Sequence, residues 1–346
     1  MFIILAFIIG YIGFTIYAAN QAHFMSLTKQ LDYDPDYERQ KSLVRTLLIS
    51  GVILIGLCGL FVVMSASVAE DPSLTEELPE ISTWEMLFGV GTSLICGFAA
   101  YSAVTTLDFR KSIKGRISGL YNPESIVHTT AIVLALFILA GQMAQFAAIG
   151  GIDGMADSYA ESGVDGASLL FDLFLQIAAA FLGVGYAIRR DMFQSLDRLG
   201  LRIPTNDDMR YGLFIGFGMF GAALIFGIVI GIFAEIFPIL DELSAANDSM
   251  VLSITTIPMA ILLAGSAAIG EEILFRGALQ PVFGISLTSA FFVLLHIQLI
   301  FTPGIILLFF VSYGLGWVRK EQSTTAAIIA HFVYNFAQLL IVVLVG

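Results

Sequence analysis

Charged side chains are scarce in this sequence. Asp, Glu, Lys and Arg make up 13% of the 346 residues, whereas 58% of the residues are hydrophobic and the mean hydropathy is +0.89. A soluble domain carries about 25% charged residues, so an ordinary soluble protein is excluded. The composition predicts an all-α fold, namely a polytopic helical membrane protein.

Cysteines and several familiar motifs are also nearly or wholly missing. The two cysteines, Cys58 and Cys96, both fall in apolar runs, so the sequence indicates no disulfide framework. The pattern of soluble zinc proteases, two histidines four apart around a glutamate, does not occur, and neither does a Gly-x-Ser-x-Gly nucleophile elbow. No internal repeat is visible, which disfavours an inverted-repeat transporter.

Long apolar runs dominate what is present. A hydrocarbon core of ~30 Å needs ~20 residues per helical crossing, and by that measure we predict about ten transmembrane helices. They cover residues 2–19, 46–66, 84–105, 126–149, 168–188, 211–237, 251–280, 285–302, 304–318 and 324–345. The eighth and ninth runs meet at Thr302-Pro303-Gly304, which fits either a tight hairpin or a break within re-entrant helices.

The sign of the charge alternates along the loops between these runs. All 16 Lys and Arg residues fall on one side of the predicted membrane. The loops on the other side contain no Lys or Arg, and their charged residues are the Asp and Glu within residues 70–80, 153–165 and 241–248. Because basic loops stay cytoplasmic, we predict an external amino terminus and an internal basic face. The first run has no basic segment before it, which favours a retained helix over a cleaved signal peptide. Topology explains these short basic loops better than binding to nucleic acid does.

Three charges end an otherwise apolar run in the segment Gly-Glu-Glu-Ile-Leu-Phe-Arg-Gly, residues 270–277. An ionisable side chain in hydrocarbon costs roughly 2.5 to 3.5 kcal/mol on insertion scales and usually faces a cavity or a partner. Glu272 and Arg276 are four residues apart, the spacing of an ion pair on one helical face. Glu271 points about 100° away from Glu272, so the two adjacent carboxylates can have different roles.

Polar residues in later apolar runs fall at a similar predicted depth. His296 lies in the eighth predicted span, and His331 and Asn335 share one face of the tenth. At 1.5 Å rise per residue, both histidines and Glu271 fall in the cytoplasmic half of the membrane. We therefore predict that these side chains meet in the C-terminal helix bundle. For Gln176, in the fifth span, we predict only an interhelical hydrogen bond.

This set of residues is compatible with three different arrangements. In a metal-free hydrolase, Glu271 takes a proton from a water held with His296, and His331 and Asn335 donate hydrogen bonds to the developing oxyanion. In a zinc-dependent hydrolase, Glu271, His296 and His331 ligate the metal and leave one position open for water. In a purely structural arrangement, the same groups only tie helices together.

Three short motifs in the last third of the chain resemble those of a known family. They are Glu271-Glu272-x-x-x-Arg276, Phe292-x-x-x-His296 and His331-x-x-x-Asn335. Their combination resembles the signatures of the CPBP family, which includes the CaaX prenyl proteases and the bacteriocin-processing or Abi-type intramembrane proteins. Leu199-Gly200-Leu201-Arg202 is similar to the segment that precedes the core of that family, so the resemblance covers roughly residues 199–346.

The resemblance implies a helical intramembrane endopeptidase. Eukaryotic members of the family remove the last three residues of prenylated CaaX proteins, at a cavity open to the cytoplasm and the lipid. The roles implied by the resemblance are Glu271 as catalytic carboxylate, His296 as its partner in activating water, His331 and Asn335 as oxyanion stabilisers, and Glu272 with Arg276 as supporting residues. Members have been described both as metalloproteases and as metal-free glutamate enzymes. Donors suited to an oxyanion favour the form without a cofactor, with zinc as the alternative.

The expected organisation follows from the extent of this resemblance. We expect residues 1–198 to form accessory transmembrane helices and loops, and residues 199–346 to form the protease core. The expected partners are the lipid bilayer and a peptide or lipidated protein substrate, in the plasma membrane of a prokaryote. Two other functions compete with this one: a proton-coupled transporter that uses the buried carboxylates and histidines as a relay, and a non-enzymatic scaffold or immunity protein with the same fold.

Overall fold

The structure, a computed structural model, describes residues 2–28, 34–69, 80–237 and 239–345, and within these ranges the chain is helical with no β-strand. The helices are α1 (Phe2–Thr28), α2 (Pro35–Ala69), α3 (Thr83–Thr105), α4 (Leu107–Lys114), α5 (Ile126–Ala148), α6 (Gly151–Ser162), α7 (Gly166–Val184), α8 (Met192–Leu199), α9 (Asn206–Ala234), α10 (Ile239–Leu252), α11 (Ile257–Glu271), α12 (Gln280–Leu294), α13 (Gly304–Glu321) and α14 (Thr324–Val345). A π-helical segment, Glu272–Leu279, joins α11 to α12. Lys29 and residues 70–79 of the predicted loops lie outside the described ranges.

The chain divides into two compact units. The first contains the residues up to 150 together with 181–195, and the second contains 151–180 together with the chain from 196 onward. In the first unit α2, α3 and α5 pack on one another, and α1 packs against α2 and α5. Helix α3 begins at a capping box, in which the Ser82 amide donates to the Glu85 carboxylate at 2.6 Å.

Eight helical stretches of the described chain are long and apolar enough to cross a membrane. This finding confirms a polytopic all-α membrane protein, and the count differs from the predicted ten only near the carboxyl terminus. The seventh and eighth predicted spans form one continuous stretch, Ile257–Leu294. Helix α13 is not among the eight, because its last turn carries Arg319, Lys320 and Glu321.

The stretch Ile257–Leu294 is bent within α12. A straight helix of its 38 residues would be ~57 Å long at 1.5 Å per residue, roughly twice the hydrocarbon thickness. Gly284 interrupts α12 with φ of 80° and ψ of 167°, a conformation that glycine adopts without the steric cost of a Cβ atom. The bend therefore separates the helix before residue 284 from the helix after it, close to the predicted boundary between the seventh and eighth spans.

Two local sequence expectations in this region are wrong. The seventh span does not start near Val251, because α11 begins at Ile257 behind Thr256, whose side chain accepts a hydrogen bond from the Met259 amide. Pro258 accordingly occupies the first turn of α11, where its missing N–H costs nothing. The eighth span ends at Leu294, so His296 lies in the connection after α12 and not inside a helix.

Helices α9 and α14 of the second unit pack closely through two glycines. A Cβ atom on Gly216 would lie 2.7 Å from the Ala330 carbonyl oxygen and 2.8 Å from the Val333 Cβ. A Cβ atom on Gly212, one turn earlier, would lie 2.7 Å from the Ile329 Cβ. Small residues four apart let helix backbones approach in membranes, so this pair of glycines sets the position of α14.

We expect Gly216→Ala to lower the thermal stability of the detergent-purified protein. Overpacking typically costs about 1 to 3 kcal/mol, which outweighs the gain of about 1 kcal/mol that alanine brings over glycine in a helix. The measurement is the fraction that stays monodisperse on size-exclusion chromatography after heating.

Gly218→Ala is the matched control, because a Cβ atom there meets no other atom within 4 Å. This variant should be as stable as the parent protein or slightly more so. Equal midpoints for the two alanine variants would contradict the proposed role of Gly216 in packing.

Candidate active site

The helix that carries the two glutamates changes its winding directly after Glu271. From Glu272 to Leu279 the backbone is π-helical, and the Gln280 amide donates to the carbonyl of Phe275, five residues earlier. Pro281 has no N–H and cannot donate to the carbonyl of Gly277, four residues before it. The Arg198 guanidinium donates to that carbonyl instead, at 3.1 Å. Such π-helical turns occur frequently at functional sites.

Glu272 and Arg276 form a fully buried ion pair. The Glu272 Oε2 atom lies 3.3 Å from the Arg276 Nε atom, and the exposed fractions of the two side chains are 0% and 1%. The guanidinium also donates to Ser312 on α13, at 3.0 Å to the hydroxyl and 3.2 Å to the carbonyl oxygen. The pairing predicted from their spacing is therefore present.

His331 on α14 lies between the two glutamates. Its Nδ1 atom is 2.9 Å from the Glu272 Oε1 atom, and because a carboxylate oxygen accepts, Nδ1 carries the hydrogen. Its Nε2 atom faces the Glu271 Oε2 atom at 3.9 Å, which is too long for a hydrogen bond. The three residues thus form a row, from Glu272 through the imidazole to Glu271.

Glu271 differs from its neighbour in exposure and in bonding. Its side chain is 18% exposed, whereas that of Glu272 is fully buried. Its Oε2 atom is buried and accepts no hydrogen bond from any described residue. A polar separation of 3.9 Å between this oxygen and the His331 ring suits a bridging water or an oxygen of a substrate.

Phe292 connects the aromatic and charged parts of the site. Its ring is 1% exposed, and the Arg276 guanidinium lies 4.5 Å from the ring centroid, within the range of a cation–π interaction. The same ring lies 4.4 Å from the His296 ring and 6.3 Å from the His331 ring. The two histidines of the predicted site are therefore both in contact with one buried phenylalanine.

His296 is held by the end of α12. Its Nδ1 atom lies 2.9 Å from the carbonyl oxygen of Phe292, and since a carbonyl only accepts, Nδ1 is the donor. In the neutral ring, Nε2 is then an acceptor that can hold a water or a metal. His296 lies half-buried at the start of the 3₁₀ turn Ile297–Leu299.

Asn335 lies one turn beyond His331 on α14. Its side chain is half-buried, and it forms no hydrogen bond with another residue in the described part of the chain. Its amide can therefore donate to a ligand without giving up a bond within the protein.

The structure brings part of the predicted set together directly. Glu271, Glu272, Arg276 and His331 form one cluster, whereas no hydrogen bond or ion pair between described residues joins His296 to Glu271. Within the same residues, no three His, Cys, Asp or Glu side chains are arranged to hold a metal ion. The zinc set of Glu271, His296 and His331 is therefore not preformed in this conformation.

Some residues that shape the site carry little signal in the sequence. Ser312 accepts from Arg276, and Gln280 donates to the Gly316 carbonyl at 2.8 Å. Arg276 and Gln280 are four residues apart, and so are their partners Ser312 and Gly316 on α13. These matching spacings could have indicated that α13 packs against the helix that carries Arg276. The amide oxygen of Gln176 is buried and accepts no bond from a described residue, so the hydrogen bond predicted for it is not formed there. It packs instead against Gly270, next to Glu271.

Comparison with known proteins identifies the same part of the chain. Residues 253–337 match the family model described as type II CAAX prenyl endopeptidase Rce1-like. The match contains all three polar motifs and begins after Leu199-Gly200-Leu201-Arg202. No curated protein and no solved structure is detectably similar to the chain. The family match confirms the resemblance to the CaaX proteases.

We expect Glu272→Gln to destabilise the protein strongly. The variant leaves the buried Arg276 without its counter-charge, and breaking a buried ion pair typically costs about 3 to 5 kcal/mol. Circular dichroism of the detergent-purified variant at 222 nm during heating measures the change in unfolding midpoint.

Glu321→Gln is the matched control for the same change of side chain. Its partner Lys320 lies 4.0 Å away, and both side chains are exposed, at 45% and 67%, so its loss should cost at most about 1 kcal/mol. If Glu272→Gln unfolds at the same temperature as Glu321→Gln, the stabilising role of Glu272 is refuted.

Proposed function

We propose that this chain, whose residues 253–337 match the family model of type II CAAX prenyl endopeptidases, hydrolyses a peptide bond inside the membrane near its cytoplasmic face. The family and the eight candidate spans support an intramembrane endopeptidase of this general kind. The observation that carries the mechanism is the row of Glu272, His331 and Glu271. In this row Glu272 forms an ion pair with Arg276 and a hydrogen bond with His331, whereas Glu271 lies 3.9 Å from the imidazole and forms neither.

Glu271 acts as the general base in this proposal. Its Oε2 atom, which accepts no hydrogen bond from a described residue, can take a proton from a water that enters beside the partly exposed side chain. His296 presents Nε2 as an acceptor, because its Nδ1 hydrogen bonds the Phe292 carbonyl. The water is then held by His296, loses a proton to Glu271, and attacks the carbonyl carbon of the substrate. When the tetrahedral intermediate collapses, the C–N bond breaks and the protonated Glu271 gives its proton to the leaving amine.

His331 and Asn335 stabilise the resulting oxyanion. With Nδ1–H committed to Glu272, the ring donates from Nε2 only when it is doubly protonated. In that form Glu271, Glu272, Arg276 and His331 carry two negative and two positive charges, so the buried cluster is neutral. A neutral ring would place the Nε2 lone pair opposite the Glu271 carboxylate, which is two acceptors facing each other. Donors of this kind are each worth about 3 to 4 kcal/mol in other hydrolases.

Glu272 and Arg276 support the donor without contacting the substrate. The Glu272 carboxylate orients the imidazole and balances its charge, and Arg276 fixes the carboxylate through its own bonds to Ser312. A fixed orientation matters because an oxyanion donor acts only if it already points at the developing charge.

The distribution of basic residues supports a site at the cytoplasmic face. Arg198 and Gly200 come from the basic loop after α7, where Arg198 bonds the Gly277 carbonyl and a Cβ on Gly200 would meet the Arg319 guanidinium at 2.6 Å. The part of the π-helical segment around Gly277 therefore packs against a basic residue, and the positive-inside rule assigns basic residues of short loops to the cytoplasm.

We assign the protease core to residues 199–346 and an accessory role to residues 1–198. The matched range and all six predicted site residues fall within the former. The second compact unit also includes residues 151–180, and Gln176 of that segment packs against Gly270. The accessory part is thus expected to contribute to the walls of the site through α7.

Glu271→Gln should reduce peptide cleavage by at least about 100-fold, because general base catalysis contributes roughly 10²- to 10⁴-fold. The assay uses a short fluorogenic CaaX peptide, farnesylated or unmodified, with protein purified in detergent. Glu321→Gln serves as the control, and circular dichroism verifies the fold of both variants. Full activity of a folded Glu271→Gln protein would rule out this residue as the base. An inactive parent protein that conducts pH-driven flux in liposomes would favour the transporter.

Metal dependence is tested in the same assay with a strong chelator. We expect the cleavage rate to stay unchanged, because the proposed mechanism takes its base and its oxyanion donors from side chains alone. Loss of activity with the chelator and recovery with Zn²⁺ would replace this mechanism with the zinc-dependent one, in which Glu271, His296 and His331 move together as ligands.

A further inference from the structure

The first unit contains a cavity of about 310 Å³ at one end of its helices. It lies among the first turns of α2, the end of α3 with the start of α4, and the start of α5. None of its lining residues belongs to the candidate active site. The volume is at the lower limit of ligand pockets, which span about 300 to 1,000 Å³, so it suits a small group such as a headgroup better than a whole lipid.

The lining of this cavity is unusually basic for so apolar a chain. Lys41, Arg45 and Arg110 face it, with Glu124 as the single acidic residue, which leaves a net charge of +2. Lys41 has an exposed partner in Glu38, at 3.7 Å. Within the described ranges, Arg45 and Arg110 have no ion pair. Two guanidinium groups are therefore available to an anion.

Arg110 provides a second, independent observation. One of its terminal nitrogens donates to the Ala103 carbonyl in the last turn of α3, at 3.1 Å, which fixes the direction of the side chain. Its Nε atom is buried and finds no acceptor among the described residues. An unsatisfied buried donor of a guanidinium needs an explanation, and the planar fork of donors matches the oxygens of a phosphate group.

The remaining lining distinguishes the source of such a phosphate. Three aliphatic side chains, Leu48, Val104 and Ile126, face the cavity together with the basic ones. The lining thus combines basic side chains with aliphatic ones from α2, α3 and α5. Basic pockets between transmembrane helices on the cytoplasmic side are typical sites for anionic headgroups, whereas a free phosphate ion would gain nothing from the aliphatic side.

We propose that this cavity binds the phosphate group of an anionic phospholipid, with Arg45 and Arg110 as its charged contacts and Lys41 at its rim. The aliphatic side chains contact the first carbons below the headgroup. Binding there joins α2, α3 and α5 at one end, independently of any peptidase activity.

Thermal unfolding and native mass spectrometry of the detergent-purified full-length protein test this proposal. The probes are palmitoyl-oleoyl phosphatidylglycerol, the matching phosphatidylcholine, and inorganic phosphate. We expect retention of the first lipid and a rise in unfolding temperature by several degrees. In the double variant Arg45→Gln/Arg110→Gln the lipid should bind roughly 30-fold more weakly, the loss that two basic side chains near an anionic surface give.

Lys111→Gln/Arg116→Gln is the matched control, because it removes two exposed charges from the same region without touching the cavity. It should bind the anionic lipid like the parent protein. If loss of Arg110 impairs folding, the single variant Arg45→Gln still tests lipid binding, because Arg45 makes no hydrogen bond within the described ranges.

Three outcomes would overturn the proposal. Equal weakening in the cavity variants and in the control would show general attraction to a basic surface. Equal binding of phosphatidylcholine would remove the role of net negative charge. Stabilisation by inorganic phosphate that is lost in the cavity variants would assign the site to a free phosphate and not to a lipid.

Discussion

A carboxylate and a guanidinium that have no access to water hold the second unit together. Taking such a pair out of water costs several kcal/mol per ion, and the attraction between the two charges offsets this only with good geometry and further hydrogen bonds. Glu272 and Arg276 obtain these bonds from His331 on α14 and Ser312 on α13, with Phe292 on α12 beneath the guanidinium. The pair therefore fixes the arrangement of four consecutive helical segments.

A second polar cluster fixes where α9 and α14 begin. Asp208, at the start of α9, is fully buried and accepts two hydrogen bonds from Arg202 and one from Ser323. The hydrogen bonds to Asp208 raise the pKa of Arg202 above its usual value. Thr324, the first residue of α14, donates to the Leu199 carbonyl and to that of Gly200. The start of α14 is thus tied to the loop before α9, and His331 follows two turns later.

The sequence predicts those features of the site that depend on local spacing. A spacing of four residues on a helix predicts the ion pair of Glu272 with Arg276 and the common face of His331 and Asn335, because both follow from 3.6 residues per turn. Hydropathy predicts a polytopic membrane protein because each membrane-spanning helix is one continuous apolar run, which is also a local feature of the sequence.

Other features depend on contacts that are distant in sequence or on single backbone angles. Residues 251–302 are apolar almost throughout, so hydropathy cannot show that the chain bends at Gly284 or that the helix ends before His296. The Gly277 carbonyl of the π-helical segment bonds Arg198, which is 79 residues away. His331, the partner of Glu272 on α14, is 59 residues away in sequence, and the periodicity of a single helix cannot predict a contact between residues so far apart.

The two adjacent glutamates show how the surroundings of a side chain separate the roles of identical residue types. A hydrolytic base in a membrane must keep a free lone pair, yet an unpaired charge in hydrocarbon is costly. Glu272 takes the ion pair with Arg276 and the hydrogen bond with His331, so the adjacent Glu271 lies beside the same groups without bonding them. Glu271 gains the electrostatic stabilisation of the cluster and keeps its Oε2 atom free. The Glu271 oxygen that faces the His331 ring at 3.9 Å is therefore a position in the cluster at which a further polar group can bond.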